Sequence, residues 1–381
     1  MAAGHGLVEG LGRVAGDAPE APRTCKTESV SATQHSSVAV DPETAERLLR
    51  QMLLIRRFEE RTEEQYTRAR IGGYCHLAIG EEAANVGAID PLEPGDYVLS
   101  SYRDHGTALA VGSEPHRVMA ELFGKATGVA GGYGGSMHLL DVERHFLGGW
   151  GIVGGQLPIA VGVALALDYQ GKQNAVLVQL GEGATNIGAF HESLNLAAIW
   201  NLPVIFQVIN NRYGMGTSVE MASAEPEQWK RAAAYRMHGE RVDGNDLLAV
   251  REAAERLLRR ARDERKPALL ETTTYRFRGH SVADAGKVYR DADEVAEARK
   301  HDPIDRFVAQ QGIDAETVKR IRGDVNDEID AAIRQAAADP APDPENLFDN
   351  VYGDPAWREQ FAPMARGGPF GEREGTRSWR T

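Results

Sequence analysis

The chain has 381 residues, with 43 Lys and Arg against 56 Asp and Glu, and its formal net charge at pH 7 is −13. This acidic balance argues against a nucleic-acid partner, because phosphate binding requires a basic face. The sequence contains no run of about 18 apolar residues, so it predicts no membrane span. The two cysteines, Cys25 and Cys75, are too few for a disulfide scaffold and indicate a reducing compartment.

Residues 1–40 are rich in Gly, Ala, Ser and Thr, and we predict that they form a disordered N-terminal arm. This stretch lacks the basic start and apolar core of a secretory signal. Its four acidic residues disfavour a mitochondrial presequence, which is typically Arg-rich and poor in acids. We therefore expect a cytoplasmic protein.

The first ordered element is predicted to be a long helix. Asp41 can cap it, and Pro42 suits its first turn. Apolar residues then recur at helical spacing, so residues 42–69 are predicted to form one amphipathic helix. Further helices over residues 81–89 and 115–124, and a strand over residues 97–100, are predicted next.

Residues 124–162 are dense in glycine, with the run Gly131–Gly135 near the centre. Such a stretch forms either a flexible loop or backbone that approaches a ligand or another chain closely. The composition alone favours the loop.

Two short apolar runs in the middle of the chain predict neighbouring strands. Ala175–Leu180 is typical of a strand buried on both faces, and Gly181–Gly183 follows it at once. Residues 185–200 are predicted to form a helix, and a second apolar run, Val204–Ile209, ends at an Asn-Asn pair. This pattern predicts a strand–helix–strand unit with parallel strands and a right-handed crossover.

The remaining predicted elements are a helix over residues 246–266, a strand over 267–274 and helices across most of 291–338. The fold class that follows is α/β, with a mostly parallel sheet flanked by helices on both faces. We assign residues 41–345 to this domain and residues 346–381 to a C-terminal tail.

Glu182 and Asn211 each follow a predicted strand, 29 residues apart. Ligands of such sheets bind at the carboxyl ends of the strands, and carboxylate and amide oxygens are the hard ligands that Mg²⁺ prefers. The amides of Gly183 and Ala184 open the next helix, where anions are attracted. Together these features predict a site for a diphosphate held through a divalent metal, although each piece alone is also typical of a tight turn.

The strand, Gly-Glu-Gly, helix, strand and Asn-Asn pattern resembles the thiamine diphosphate motif, which usually begins Gly-Asp-Gly. Residues from about 45 to 345 resemble the α subunit of the pyruvate dehydrogenase component of 2-oxo acid dehydrogenase complexes. The other stretches that carry the resemblance are Gly73–Leu77, Ser101–Gly106, Gly134–His138, Gly151–Gly154, Asn210–Ser218 and Tyr275–Ser281.

The resemblance implies a thiamine diphosphate-binding fold and a set of residues around Mg²⁺-bound thiamine diphosphate. The metal would be held by Glu182, by the side chain of Asn211 and by the carbonyl of Tyr213. At the diphosphate, the resemblance implies Gly183, Ala184, Tyr102 and Arg103, together with His280 from a mobile loop. The backbone of Gly151 and Val153 would contact the aminopyrimidine ring. His76 would face the reacting carbon and the lipoyl group. His105 and His138 would have only a supporting role.

The implied activity is oxidative decarboxylation of pyruvate with acetyl transfer to a lipoyl group. The carboxylate that must face the aminopyrimidine ring is not identified in this chain, and in the family a separate β chain supplies it. We therefore expect an assembly of two α and two β subunits, with a lipoyl acyltransferase and a small 2-oxo acid as further partners.

Two alternatives follow from Glu182, which stands where the pyruvate enzymes usually have Asp. The branched-chain 2-oxo acid enzymes often carry Gly-Glu-Gly, so the chain could be the α subunit of a branched-chain 2-oxo acid or acetoin dehydrogenase. Residues Arg212–Thr217 favour the pyruvate group. A non-catalytic binding or scaffold protein with a degenerate metal site is the alternative from another class.

Overall fold

The computed structural model describes residues 39–344 and residue 346. The predicted arm and tail therefore lie outside the described residues, except for residues 39, 40 and 346. The helices are α1 (Pro42–Thr67), α2 (Glu82–Ile89), α3 (His105–Ala110), α4 (Pro115–Leu122), α5 (Gln156–Tyr169), α6 (Gly188–Trp200), α7 (Val219–Ala222), α8 (Leu247–Glu264), α9 (Ala292–Arg299), α10 (Pro303–Gln311) and α11 (Ala315–Ala338). The strands are β1 (Tyr97–Ser101), β2 (Phe146–Trp150), β3 (Val176–Gly181), β4 (Val204–Asn210), β5 (Tyr213–Gly214), β6 (Thr217–Ser218), β7 (His238–Asp243) and β8 (Ala268–Thr273).

Six of these strands form one parallel sheet in the order β2-β1-β3-β4-β8-β7. The two strands predicted from the apolar runs, β3 and β4, pair in the middle, from Val176 with Val204 to Gly181 with Ile209. Both are buried along nearly their whole length, as strands covered on both faces must be. The sheet confirms the predicted α/β class.

Helices cover both faces of the sheet. On one face, α1, α2 and α8 share a core with Leu177, Ile205 and Leu270. On the other, α5 and α6 pack around Val178 and Phe206. Adjacent strand residues point to opposite faces, so each central strand contributes to two cores. Within residues 39–344, no helix combines the length and apolar character of a membrane span.

The predicted helix over residues 185–200 is correct only in its second part. A short 3₁₀ helix, Glu182–Asn186, comes first, and α6 begins at Gly188. The hydroxyl of Thr185 donates to the Glu182 carbonyl at 2.7 Å, and the backbone of Ile187 is extended. This local hydrogen bond competes with continuous α-helix, as threonine side chains often do.

The glycine-dense stretch contains regular structure that its composition did not predict. It includes β2 and the first half of α5, while α3 and β7 were also missed. Two glycines of β2 allow close packing: a Cβ on Gly149 would lie 1.7 Å from the Asp104 carboxylate, and one on Gly148 would lie 3.0 Å from the Leu139 carbonyl. Glycine in this strand therefore marks close approach of other groups and not a loop.

The run Gly131–Gly135 wraps around a buried carboxylate of the same chain. Glu121, on α4, accepts hydrogen bonds from the backbone amides of Ala130 and Gly132 through Oε2, at 2.9 and 2.8 Å. Its Oε1 accepts from the amides of Gly134 and Gly135, at 2.7 and 3.1 Å. Positive φ angles along the run, such as +82° at Gly132, let successive amides converge on one anion.

We predict that Glu121→Gln destabilises the protein by about 2 kcal/mol or more, because the amide group turns an N–H toward backbone N–H donors and loses the charge that strengthens these bonds. Urea unfolding of the purified protein measures the change. The matched control is Glu143→Gln, since the Glu143 side chain is 87% exposed, and we expect a change within about 0.5 kcal/mol. Equal stability of the two variants would contradict the proposed role of Glu121.

Candidate functional site

The predicted site residues lie together at the carboxyl edge of the sheet. All of them except His76 occur just past the ends of five strands, which are parallel, so their ends meet on one side of the domain. The segments are Tyr102–Arg103 after β1, Gly151–Val153 after β2, Glu182–Ala184 after β3, Asn211–Tyr213 after β4 and Arg276–His280 after β8. His76 lies between α1 and α2, and its ring packs against those of Tyr102 and His280.

The pairing of β3 with β4 places Glu182 directly beside Asn211. Both side chains are buried, and the backbone amide of Asn211 donates to Glu182 Oε2 at 3.3 Å. Burial raises the pKa of Glu182 above its usual value. A carboxylate in this position gains from a nearby cation, because the cation offsets the loss of solvation.

Two further oxygens converge on a cationic side chain at the same place. Arg276, whose exposed fraction is 1%, donates through Nη1 to Asn211 Oδ1 and to the Tyr213 carbonyl, each at 3.0 Å. Arg276 lies within the stretch Tyr275–Ser281, but the sequence alone gave it no role. The three predicted metal ligands thus lie within one small region, and two of them already face positive charge.

This donor set fits Mg²⁺. One carboxylate, one amide oxygen and one carbonyl oxygen are hard ligands, and Mg²⁺ usually completes its shell with water and substrate phosphates. Within residues 39–344 and 346, no group of three or more His, Cys, Asp or Glu side chains could hold a metal by itself. An ion at this site would therefore depend on backbone, amide and phosphate oxygens as well as on Glu182.

The predicted diphosphate contacts differ in their exposure. Gly183 is exposed, and the nearest described atom to an added Cβ, apart from its chain neighbours, is the Gly214 Cα at 3.8 Å. Arg103 is buried and donates to the Leu77 carbonyl at 2.6 Å and to the His280 carbonyl at 3.0 Å. The guanidinium thus connects two loops of the site, while the Gly183 backbone is open to a ligand.

His76, Tyr102 and His280 form an aromatic cluster beside Arg103. The ring centroid of His76 lies 4.5 Å from that of Tyr102 and 5.0 Å from that of His280. The Nδ1 atoms of both histidines are buried and have no hydrogen-bond partner among the residues that the structure describes. Burial, with the positive charge of Arg103, lowers the pKa of His76 to about 2 and that of His280 to about 4. Both imidazoles are therefore neutral at pH 7.

The segment after β2 is open on the side predicted to face the aminopyrimidine ring. Ile152 and Val153 are 73% and 46% exposed. Gly151 packs on His138, and a Cβ on Gly151 would lie 2.7 Å from His138 Nε2. His105 is fully buried, with its ring nitrogens bonded to a carboxylate oxygen of Glu59 at 2.8 Å and to the hydroxyl of Ser136 at 2.9 Å. These contacts place His105 and His138 in the framework around the site.

The loop that carries His280 is held by its own polar contacts. Asp284 accepts from the His280 amide at 2.8 Å and from the Tyr289 hydroxyl at 2.5 Å. Arg290 donates to the carbonyls of Arg276 and Arg278, each at 2.6 Å. The loop therefore has a defined conformation against the predicted metal ligands.

A family model described as dehydrogenase E1 component matches residues 50–345. The chain is 46% identical over 307 residues to the pyruvate dehydrogenase E1 component subunit alpha of Rhizobium meliloti (strain 1021), covering 79% of this chain and 88% of that relative. It is 40% identical over 306 residues to the protein of the same name from Rickettsia felis, covering 79% and 93%. It is 42% identical over 308 residues to the testis-specific mitochondrial form of Homo sapiens, covering 80% and 78%.

We predict that Arg276→Met lowers the free energy of unfolding by about 3 kcal/mol or more, because buried acceptors lose a charged donor. The matched control is Arg278→Met, two residues away, whose partly exposed side chain pairs with Glu63 at 2.9 Å. Exposed pairs contribute about 1 kcal/mol or less. Chemical denaturation of both variants without metal measures the difference, and equal losses would contradict the role assigned to Arg276.

The lowered pKa of His280 predicts a pH dependence of stability. The unfolded chain binds a proton at His280 as the pH falls through about 6.5, whereas the folded chain binds it only near pH 4. Stability is therefore lost as the pH falls from about 6.5 to about 4. We expect His280→Asn to become progressively more stable relative to wild type over this window, as measured by thermal unfolding.

The control for this measurement is His301→Asn, because His301 is exposed at the surface. Its unfolding midpoints should run parallel to those of wild type at every pH. A His280→Asn curve that also stays parallel to wild type would contradict the prediction.

Proposed function

The chain belongs to the dehydrogenase E1 component family, and from this premise we propose that it is the α subunit of a pyruvate dehydrogenase. The reaction is the oxidative decarboxylation of pyruvate, with thiamine diphosphate as cofactor and a lipoyl disulfide as the acceptor of the acetyl group. The observation that carries the proposal is that two oxygens converge beside Glu182. Asn211 Oδ1 and the Tyr213 carbonyl each lie 3.0 Å from the guanidinium of Arg276.

In this proposal Mg²⁺ is held by Glu182, by Asn211 Oδ1 and by the Tyr213 carbonyl. Position 182 carries Glu where the pyruvate enzymes usually have Asp, and a 3₁₀ helix begins at this residue. Thiamine diphosphate, when bound, would supply a nucleophilic thiazolium carbon for the ketone and a cationic ring that takes up the electron pair released with CO₂.

The residues around the metal provide charge and orientation. Gly183 is exposed, and its backbone amide would donate to a diphosphate, as amides at helix N-termini commonly do. Arg276 already places a buried positive charge at this edge. An anion that binds here encounters fixed donors, which reduces the reorganisation needed at the moment of reaction.

His76 and His280 are the residues of this chain best suited to move protons. Both are neutral, with an unpartnered Nδ1, and each can accept a proton or a hydrogen bond at that atom. Their pKa values are low because of burial and the charge of Arg103. A bound anion would offset that charge and move both pKa values toward the physiological range.

A β subunit is the partner that completes the site in this proposal, because it would supply the carboxylate for the aminopyrimidine ring. Large apolar side chains are exposed next to the site and on α5 and α6, a pattern typical of a surface that another chain covers. They are Ile152, Val153, Ile159, Leu165, Tyr169, Ile199 and Trp200. The lipoyl acyltransferase of the complex would then approach the open side of the assembled site.

The test of this function is turnover by the chain purified together with its β subunit, supplied with thiamine diphosphate, Mg²⁺ and a lipoyl acceptor. We expect kcat/KM for pyruvate to exceed that for 3-methyl-2-oxobutanoate by at least about tenfold, and no turnover by the α chain alone. A reversed substrate preference would support a branched-chain enzyme. Absence of cofactor binding by the complex would support a scaffold protein.

The metal ligands provide a second test. We predict that Glu182→Ala weakens thiamine diphosphate binding in the presence of Mg²⁺ by about 100-fold, because it removes the only carboxylate among the proposed ligands. Calorimetry on the assembled complex measures the affinity. Glu264→Ala is the control, since the Glu264 side chain is exposed at the end of α8. Unchanged cofactor affinity in Glu182→Ala would contradict the proposed site.

A further inference from the structure

Glu81 is a buried carboxylate at the site to which sequence reasoning gave no role. It precedes α2, and its exposed fraction is 2%. Its Oε1 accepts a hydrogen bond from Asn211 Nδ2 at 2.8 Å and lies 3.7 Å from Arg103 Nε. The Glu81 carboxylate therefore contacts Asn211, a proposed metal ligand, and lies near Arg103, which is beside the aromatic cluster.

The orientation of the Asn211 amide decides whether this residue can bind a metal. The oxygen and nitrogen ends of the amide are similar in size, but only the oxygen is a ligand for Mg²⁺. On the nitrogen side, Glu81 offers an acceptor. On the oxygen side, Arg276 and the Tyr213 amide offer donors, at 3.0 and 3.4 Å. A flipped amide would face an acceptor with its oxygen and donors with its nitrogen.

We propose that Glu81 is a positioning residue that holds the Asn211 amide with its oxygen toward the metal. This inference rests on the proposed function, because the ligand that Glu81 positions belongs to the proposed Mg²⁺ site. The partners that orient metal ligands typically change metal affinity by 10- to 100-fold when they are removed.

The neighbouring Glu82 shows that burial alone does not define this role. It is also buried on α2, but it accepts from Arg56 Nε at 2.5 Å and from the Gly80 amide at 3.0 Å. Neither contact reaches a proposed metal ligand. Glu82 is therefore a matched structural control: it is the adjacent residue, of the same type and similarly buried.

Two conservative variants separate the hydrogen bond of Glu81 from its charge. Glu81→Gln removes the charge but keeps a side-chain oxygen that can accept from Asn211 Nδ2. Glu81→Asp keeps the charge but retracts the carboxylate by about one carbon–carbon bond, ~1.5 Å, which breaks the contact. The control is Glu82→Asp, which shortens a carboxylate that does not touch Asn211.

The measurement is Mn²⁺ binding to the complex of α and β subunits with saturating thiamine diphosphate, followed by electron paramagnetic resonance of the free ion. We expect Glu81→Asp to weaken Mn²⁺ binding by about 10- to 100-fold, and Glu81→Gln and Glu82→Asp to remain within about threefold of wild type. Thermal unfolding without metal is recorded for every variant. The affinity loss in Glu81→Asp should exceed any loss that its stability explains.

Three results would overturn the inference while leaving the proposed function intact. These are a larger loss in Glu81→Gln than in Glu81→Asp, equal affinities in all variants, or a loss in Glu82→Asp that matches that of Glu81→Asp. In the first case charge and not orientation would govern the site, and in the last the effect would be structural. Absence of Mn²⁺ and thiamine diphosphate binding by the wild-type complex would overturn both the proposed function and the inference.

Discussion

The parallel pairing of β3 with β4 is the constraint on which the site depends. A polar residue that would be costly to bury alone follows each strand. The register brings these two residues side by side, so that the amide of Asn211 meets the carboxylate of Glu182. A one-residue shift of either strand would turn its buried side chains to the opposite face. The two hydrophobic cores that fix the register therefore also fix the geometry of the proposed metal ligands.

Negative and positive side chains are buried together at this edge. The carboxylates of Glu81 and Glu182 are buried next to the guanidiniums of Arg103 and Arg276. Burial raises the pKa values of both carboxyl groups, and the arginines oppose that effect. Such an arrangement holds charge in place without solvent, which is the condition under which an electrostatic interaction is strong. In the proposed function, the two arginines would offset the charge of a bound diphosphate despite the net charge of −13.

The sequence was sufficient to predict those parts that depend on local pattern. The periodicity of α1 and the apolar runs of β3 and β4 predict these elements within a few residues, and strand ends predict where Glu182 and Asn211 lie. Helix α5 was missed because it is apolar on nearly all sides and so has no amphipathic period. Contacts between distant residues could not be predicted, since Arg276 is 65 residues from Asn211 and Glu81 is 130 residues from it. The only signals in the sequence were the position of Arg276 inside the stretch Tyr275–Ser281 and the charge of Glu81, four residues after the stretch Gly73–Leu77.

Two glycine-containing segments of the described residues differ in what they contact. At Gly131–Gly135 the backbone amides close on the chain's own Glu121, whereas Gly183 is exposed to solvent. The first loop acquires its order during folding, and its conformational entropy is already lost before any ligand arrives. Only the entropy cost of ordering Gly183 and its neighbours then reduces the affinity for a ligand. An internal carboxylate can in this way act as a permanent substitute for a bound anion and keep a glycine-rich loop ordered at any cofactor concentration.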